Sequence, residues 1–111
     1  MLVVDDDPSI RLLCRLNLEL EGWEVREADS LAGARRELSD GVVDVVLLDV
    51  HVGAENGATF VDEIRDDYPH AKVAMLTGSV EAHDVEGAAA DRVISKPFTL
   101  EQLTSAVAEL A

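Results

Sequence analysis

The chain has 111 residues, 48% of them hydrophobic and 29% charged, which is the size and composition of one folded globular domain and not of a disordered segment. Nine Lys and Arg against 23 Asp and Glu leave a formal net charge of −14, which argues against a nucleic-acid or anionic-membrane partner and suits a bound cation or a basic partner surface. Cys14 is the only cysteine, which excludes an internal disulfide and any multi-cysteine metal site.

Apolar runs and helical patterns then alternate along the chain. Leu2-Val3-Val4 is a short apolar run, and Asp7-Pro8 reads as a helix start, with Asp capping free amides and Pro fitting the first turn. Ile10, Leu13, Leu16 and Leu20 give that helix an apolar stripe, with Cys14 expected as a buried structural thiol and Gly22 as the stop. Trp23 to Ala28 alternates like a strand, with Trp23 expected to pack near the end of the first helix; Ser30 to Leu38 reads as a second helix weakened by Gly33. Val42 to Leu48 is nearly all apolar and β-branched, the mark of a strand covered on both faces in a parallel sheet. A helix over Ala58 to Asp66 directs Phe60, Val61 and Ile64 inward, and Lys72 to Leu76 is a fourth strand. An Ala-rich helix is expected over Val80 to Ala90 and a short strand over Arg92 to Ile94. Thr99 with Gln102 three residues on forms a capping box for a last helix, whose stripe is Leu100, Leu103, Val107 and Leu110.

Five strand–helix units predict an α/β fold: a flavodoxin-like, doubly wound five-stranded parallel sheet of order 2-1-3-4-5 with helices on both faces. No linker or repeat divides residues 1–111, so a single domain is expected. No basic, apolar leader is visible, and no apolar run approaches the ~18 residues that span a bilayer, so a cytoplasmic location is expected.

In such sheets the site lies at the carboxyl ends of the strands. The first strand ends in Asp5, Asp6 and Asp7, the third in Asp49, the fourth in Thr77-Gly78 and the fifth in Ser95-Lys96-Pro97-Phe98. Clustered carboxylates repel one another and are relieved by a cation. Mg²⁺ takes oxygen ligands and keeps waters that phosphate oxygens can replace. An ammonium suits a phosphoryl group, a hydroxyl can donate to it, and a carboxylate can attack phosphorus. The set reads as a Mg²⁺-dependent phosphoryl acceptor. Taken singly, Asp7 is most simply a helix cap and any one Asp a solvated surface group.

Val3-Val4-Asp5-Asp6-Asp7-Pro8, Leu47-Leu48-Asp49, Gly57, Leu76-Thr77-Gly78 and Ser95-Lys96-Pro97-Phe98 match, in order, the motifs of the receiver domain of two-component response regulators. The chain resembles that CheY-like family over essentially its whole length. The resemblance implies that Asp49 accepts a phosphoryl group from a phosphohistidine on a histidine kinase or phosphotransfer protein. It implies Mg²⁺ on Asp6 and Asp49 directly, on Asp5 through water, and on the backbone carbonyl of His51. Thr77 and Lys96 would hold the phosphoryl oxygens, and the Lys96-Pro97 bond would be cis. The face formed by the fourth helix, fifth strand and fifth helix would then bind a downstream protein or a second copy of the domain, with no enzymatic turnover of a separate substrate.

Three departures stand out. Val93 occupies a position where the family usually has an aromatic switch residue. Gly53 stands where Pro is common, and is expected to loosen the segment Val50 to Asn56. The stretch from Thr77 to Lys96 is short, which bears on the output surface. The His51 side chain is expected to face solvent, as are His70 and His83. Two other functions compete: a receiver-fold interaction module that works without phosphate, and a small Mg²⁺-dependent phosphatase. The phosphatase is disfavoured because His51 stands where such enzymes place a second acid.

Overall fold

The computed structural model describes residues 1–78 and 90–110. Its elements in chain order are β1 (Leu2–Val4), α1 (Pro8–Leu20), β2 (Arg26–Ala28), α2 (Leu31–Asp40), β3 (Val45–Asp49), β4 (His51–Val52), β5 (Glu55–Asn56), α3 (Gly57–Asp67), β6 (Lys72–Thr77), β7 (Arg92–Ser95) and α4 (Leu100–Leu110). Five strands form a parallel sheet of order β2-β1-β3-β6-β7. This is the order expected from the alternation, with the hairpin β4–β5 inserted after the third strand. Of the helix expected over Val80 to Ala90, all but Ala90, and His83 with it, lies outside the described residues, and Ala90 itself is not helical.

The three central strands β1, β3 and β6 are buried on both faces, and the strand period of two divides the core. Leu2, Val4, Val46, Leu48, Val73 and Met75 face one way and pack with Leu31, Ala34 and Leu38 of α2 and Phe60, Val61 and Ile64 of α3. Val3, Leu47, Ala74, Leu76 and Ile94 face the other way, against Cys14 and Leu18 of α1 and Leu103, Ala106 and Val107 of α4. Cys14 is fully buried and lacks a disulfide partner, as its apolar setting predicts, and burial pushes its thiol up to about 11. Trp23 packs half-buried against the same cluster, its amide donating to the Leu18 carbonyl.

The caps match the local sequence. Asp7 accepts from the Ser9 amide, Ser30 from Gly33, and Asn56 from Ala58. Thr99 and Gln102 exchange hydrogen bonds of 2.8 and 3.1 Å as a capping box. Gly22, at φ +95°, follows the α1 C-cap in a conformation suited to glycine.

Three expectations are corrected. The buried side of α1 is Ile10, Cys14 and Leu18, whereas Leu13 and Leu16 are exposed and Leu20 is 84% exposed. Strand β2 begins only at Arg26, and β3 only at Val45, with Val42 left 83% exposed. The segment that Gly53 was expected to loosen is folded as the antiparallel hairpin β4–β5.

At the opposite edge from the strand carboxyl ends, Asp91 ties β6 and β7 to α3. Its carboxylate accepts from the Val73 amide at 2.8 Å and from the Arg65 guanidinium, which also donates to the Ala71 carbonyl. Burial opposes the charge of Asp91, but the Val73 amide and Arg65 outweigh it and hold the carboxyl below its ordinary value. A depressed carboxylate adds stability above its unfolded pKa, and that stability is lost as pH falls through the folded value. Asp91→Ala is expected to cost about 1–3 kcal/mol at pH 7, because the Val73 amide loses the Asp91 carboxylate as acceptor and Arg65 loses its ion pair with it. The urea midpoint at pH 7 checks this, and an unchanged midpoint would show the ties to be idle.

Candidate functional site

The carboxyl edge of the sheet gathers the polar residues. The buried polar side chains of the described residues are Asp5, Asp49 and Thr77, and all three terminate or follow a central strand. Asp5, Asp6 and Asp49 each offer an oxygen atom within 4.8 Å of the others.

Each acid of this cluster has one oxygen held by an N–H donor. Asp5 Oδ1 accepts from the Asp7 amide at 2.9 Å, Asp6 Oδ2 from the Gly53 amide at 3.1 Å, and Asp49 Oδ1 from Lys96 Nζ at 3.1 Å. Asp5 Oδ2 is buried without any hydrogen-bond partner. A buried carboxylate oxygen with nothing to bind is costly and therefore informative. Burial raises the Asp5 carboxyl from 3.8 to about 6; the Asp7 amide opposes the shift, Asp49 and Asp6 reinforce it, and Lys96 opposes it. An orphaned oxygen beside two further carboxylates has the character of a cation site, with hard oxygen donors of the kind Mg²⁺ prefers.

The backbone fixes the cluster. Asp5 N–H donates to the Ala28 carbonyl, and the Arg11 guanidinium donates to the Asp5 carbonyl at 2.7 Å. Arg11 and Arg15 also pair with Glu27 of β2, at 3.4 and 2.6 Å. Gly57, the first residue of α3, donates its amide to the Val50 carbonyl just beyond Asp49. A Cβ there would overlap the Asp49 carbonyl oxygen and stand 3.0 Å from that of Val50. Lys96 is brought over Asp49 by β7, whose end is tied by the Lys96 amide to the Thr77 carbonyl at 2.6 Å.

The model of the response regulator receiver domain matches residues 1–108 of the sequence. The chain belongs to the response regulator receiver domain family. The transcriptional regulatory protein TcrX of Mycobacterium tuberculosis is 32% identical over 110 residues, which cover 93% of this chain but 45% of TcrX. The chain therefore spans less than half the length of that relative. Among solved structures, the NtrX receiver domain of Brucella abortus superposes with a TM-score of 0.92 at 30% identity, covering 98% of this chain and 95% of that one. The beryllofluoride-activated NtrC4 receiver domain dimer gives 0.87 at 28% identity, over 98% and 93%.

Within this receiver, the residues singled out from sequence fall in two groups. Asp5, Asp6, Asp49 and Lys96 converge. Thr77 ends β6 and is buried, and its hydroxyl donates to the Gly78 carbonyl at 3.0 Å. His51 opens β4 with an exposed side chain, and His70 is exposed as expected. The Lys96-Pro97 bond is cis. Val93 lies on β7, 47% exposed. Sequence reasoning missed the Asp7 and Gly53 amides and the Arg11 side chain, which hold the acids in place. Backbone donors leave no residue-type signal, although Gly53 was singled out as a departure.

Proposed function

We propose that this receiver is a phosphorylation switch in which Asp49 accepts a phosphoryl group with Mg²⁺ as cofactor. The observation that carries the reading is the buried Asp49 carboxylate, 3.1 Å from Lys96 Nζ and clustered with Asp5, whose inner oxygen has no partner. Asp5, Asp6 and Asp49 are suited to hold the cation, with the His51 backbone carbonyl as a further ligand. Mg²⁺ there supplies positive charge against the phosphoryl oxygens.

The chemistry of the chain's own residues follows. A carboxylate oxygen of Asp49 attacks the phosphorus of a phosphohistidine on a histidine kinase or phosphotransfer protein. A new O–P bond forms, the P–N bond breaks, and the imidazole leaves with the electron pair. Lys96 moves from pairing with the carboxylate to pairing with a phosphoryl oxygen. The Thr77 hydroxyl leaves Gly78 for another phosphoryl oxygen. That change at a buried side chain biases the domain toward a second arrangement, which a downstream protein or a second copy recognises. The beryllofluoride-activated receiver domain dimer of NtrC4 supports a link between activation and association. The acidic charge of −14 supports a protein rather than a nucleic acid as direct partner.

Incubation with acetyl phosphate and Mg²⁺ is expected to add one phosphoryl group to the intact mass. Asp49→Asn or a chelator is expected to abolish the gain. A folded, Mg²⁺-binding protein that gains nothing would instead support an interaction module that works without phosphate.

A further inference from the structure

The hairpin after Asp49 makes a contact that a loop of the same length need not make. His51 pairs with Asn56 and Val52 with Glu55, leaving Gly53-Ala54 as a two-residue connection. Gly53 has φ +63°, and no non-glycine residue in the described chain has positive φ, so Ala54 does not. A two-residue hairpin loop with positive φ at its first position only is a type II′ turn, which calls for glycine there. The amide of that glycine is not part of the β4–β5 ladder. It points across to Asp6, 47 residues away in sequence, and donates to Oδ2 at 3.1 Å.

We propose that the Gly53 turn is a positioning element for the cation site: its amide holds one oxygen of Asp6 so that the carboxylate presents its other oxygen to the cluster with Asp5 and Asp49. The inference rests on the reading of that cluster as a cation site. Asp6 needs such help more than its neighbours do. Asp5 and Asp49 are buried and held by packing as well as by Asp7 and Lys96, whereas Asp6 is exposed, and a solvated Asp side chain is otherwise able to rotate away. Partners that orient a metal ligand commonly change metal affinity by about 10–100-fold when removed. The exposure of Asp6 places the expected effect at the low end. Glycine serves two separate ends here, a left-handed φ and an N–H, and two residues of inverted chirality separate them. D-Alanine takes positive φ and keeps the amide. D-Proline fixes positive φ and lacks the amide, and the extended Val52 before it tolerates a following imino acid.

The test is the 111-residue chain assembled by peptide ligation, as the parent, Gly53→D-Ala and Gly53→D-Pro. Mg²⁺ affinity is measured by calorimetric titration, with thermal midpoint and amide spectra of the metal-free forms alongside. The expected result is that Gly53→D-Ala binds Mg²⁺ within about 2-fold of the parent while Gly53→D-Pro binds about 10-fold more weakly, the two variants melting alike. Equal affinity in the two variants would overturn the inference and leave the cation site standing. Failure of the parent chain itself to bind Mg²⁺ would remove the cation site and the inference together. A loss shared equally by both variants would show that the hairpin shape matters and its amide does not, which also overturns the inference.

Discussion

Gly57→Ala is expected to cost about 3 kcal/mol or more of stability and to weaken Mg²⁺ binding at the same time. The added methyl group meets backbone on the side where it has least room. Its ideal position overlaps the Asp49 carbonyl oxygen and lies 3.0 Å from that of Val50. Neither atom is the end of a flexible side chain. Relief requires α3 to lift from the end of β3, which strains the Gly57–Val50 hydrogen bond and loosens Phe60, Val61 and Ile64 from the core. Overpacking against relaxing side chains typically costs 1–3 kcal/mol, and a rigid backbone neighbour places this case at or above that range. Because the obstructed carbonyl belongs to Asp49 itself, the shift also moves a member of the acid cluster. Urea denaturation followed by Trp23 fluorescence gives the stability, and calorimetry the affinity. A variant within 1 kcal/mol of the parent would show that α3 yields easily at its first turn.

The second large effect is a pH dependence of opposite sign to that of most carboxylates. Burial raises Asp5 to about 6 in the metal-free folded chain, while an unfolded aspartate titrates near 3.9. Between these values the folded protein binds the extra proton. The favourable contribution is fully present below the unfolded value and is lost as pH rises through about 6. Its full size is about 3 kcal/mol, reached near pH 7 as a cost of keeping Asp5 ionised. Asp5→Asn, which removes that charge, is expected to stabilise the metal-free protein by about 2–3 kcal/mol at pH 7 and to make little difference at pH 4. Mg²⁺ at about 100 times its dissociation constant returns about 2.7 kcal/mol to the parent. Below pH 6 the proton competes for the same oxygen, so Mg²⁺ affinity falls. Urea midpoints of parent and variant from pH 4 to 8, with and without Mg²⁺, check these points. A parent–variant difference that does not change with pH would contradict the raised value.

Both effects arise where the sequence speaks unevenly. The sheet was legible because Leu2-Val4, Val42 to Leu48 and Lys72 to Leu76 are short, largely apolar runs, the mark of strands covered on two faces, and they alternate with helical patterns. The acid cluster and Lys96 were legible because the strand order places their positions on one edge. The inner face of α1 was misread for a physical reason. The stripe read from sequence, Ile10-Leu13-Leu16-Leu20, and the buried set, Ile10-Cys14-Leu18, share Ile10 and are both spaced like a helical face, and hydrophobicity alone favours the leucines. Tertiary packing decides the matter: Cys14 and Leu18 share one buried cluster with Val3, Leu47, Leu103 and Val107. The hairpin was invisible because strands of two residues carry no alternation. Its contact with Asp6, like that of Asp7 with Asp5, is made by backbone amides that every residue but proline possesses.

The role of Asp49 is tested most directly by locating the phosphoryl group. Protein treated with acetyl phosphate and Mg²⁺ is reduced with borohydride, which converts an aspartyl phosphate to homoserine, and is then digested and sequenced by mass spectrometry. Homoserine at position 49, absent when Mg²⁺ is chelated, is the result expected. Homoserine at position 5 or 6, a phosphoryl group on His51, or no modification in folded protein would contradict the assignment of Asp49 as the acceptor.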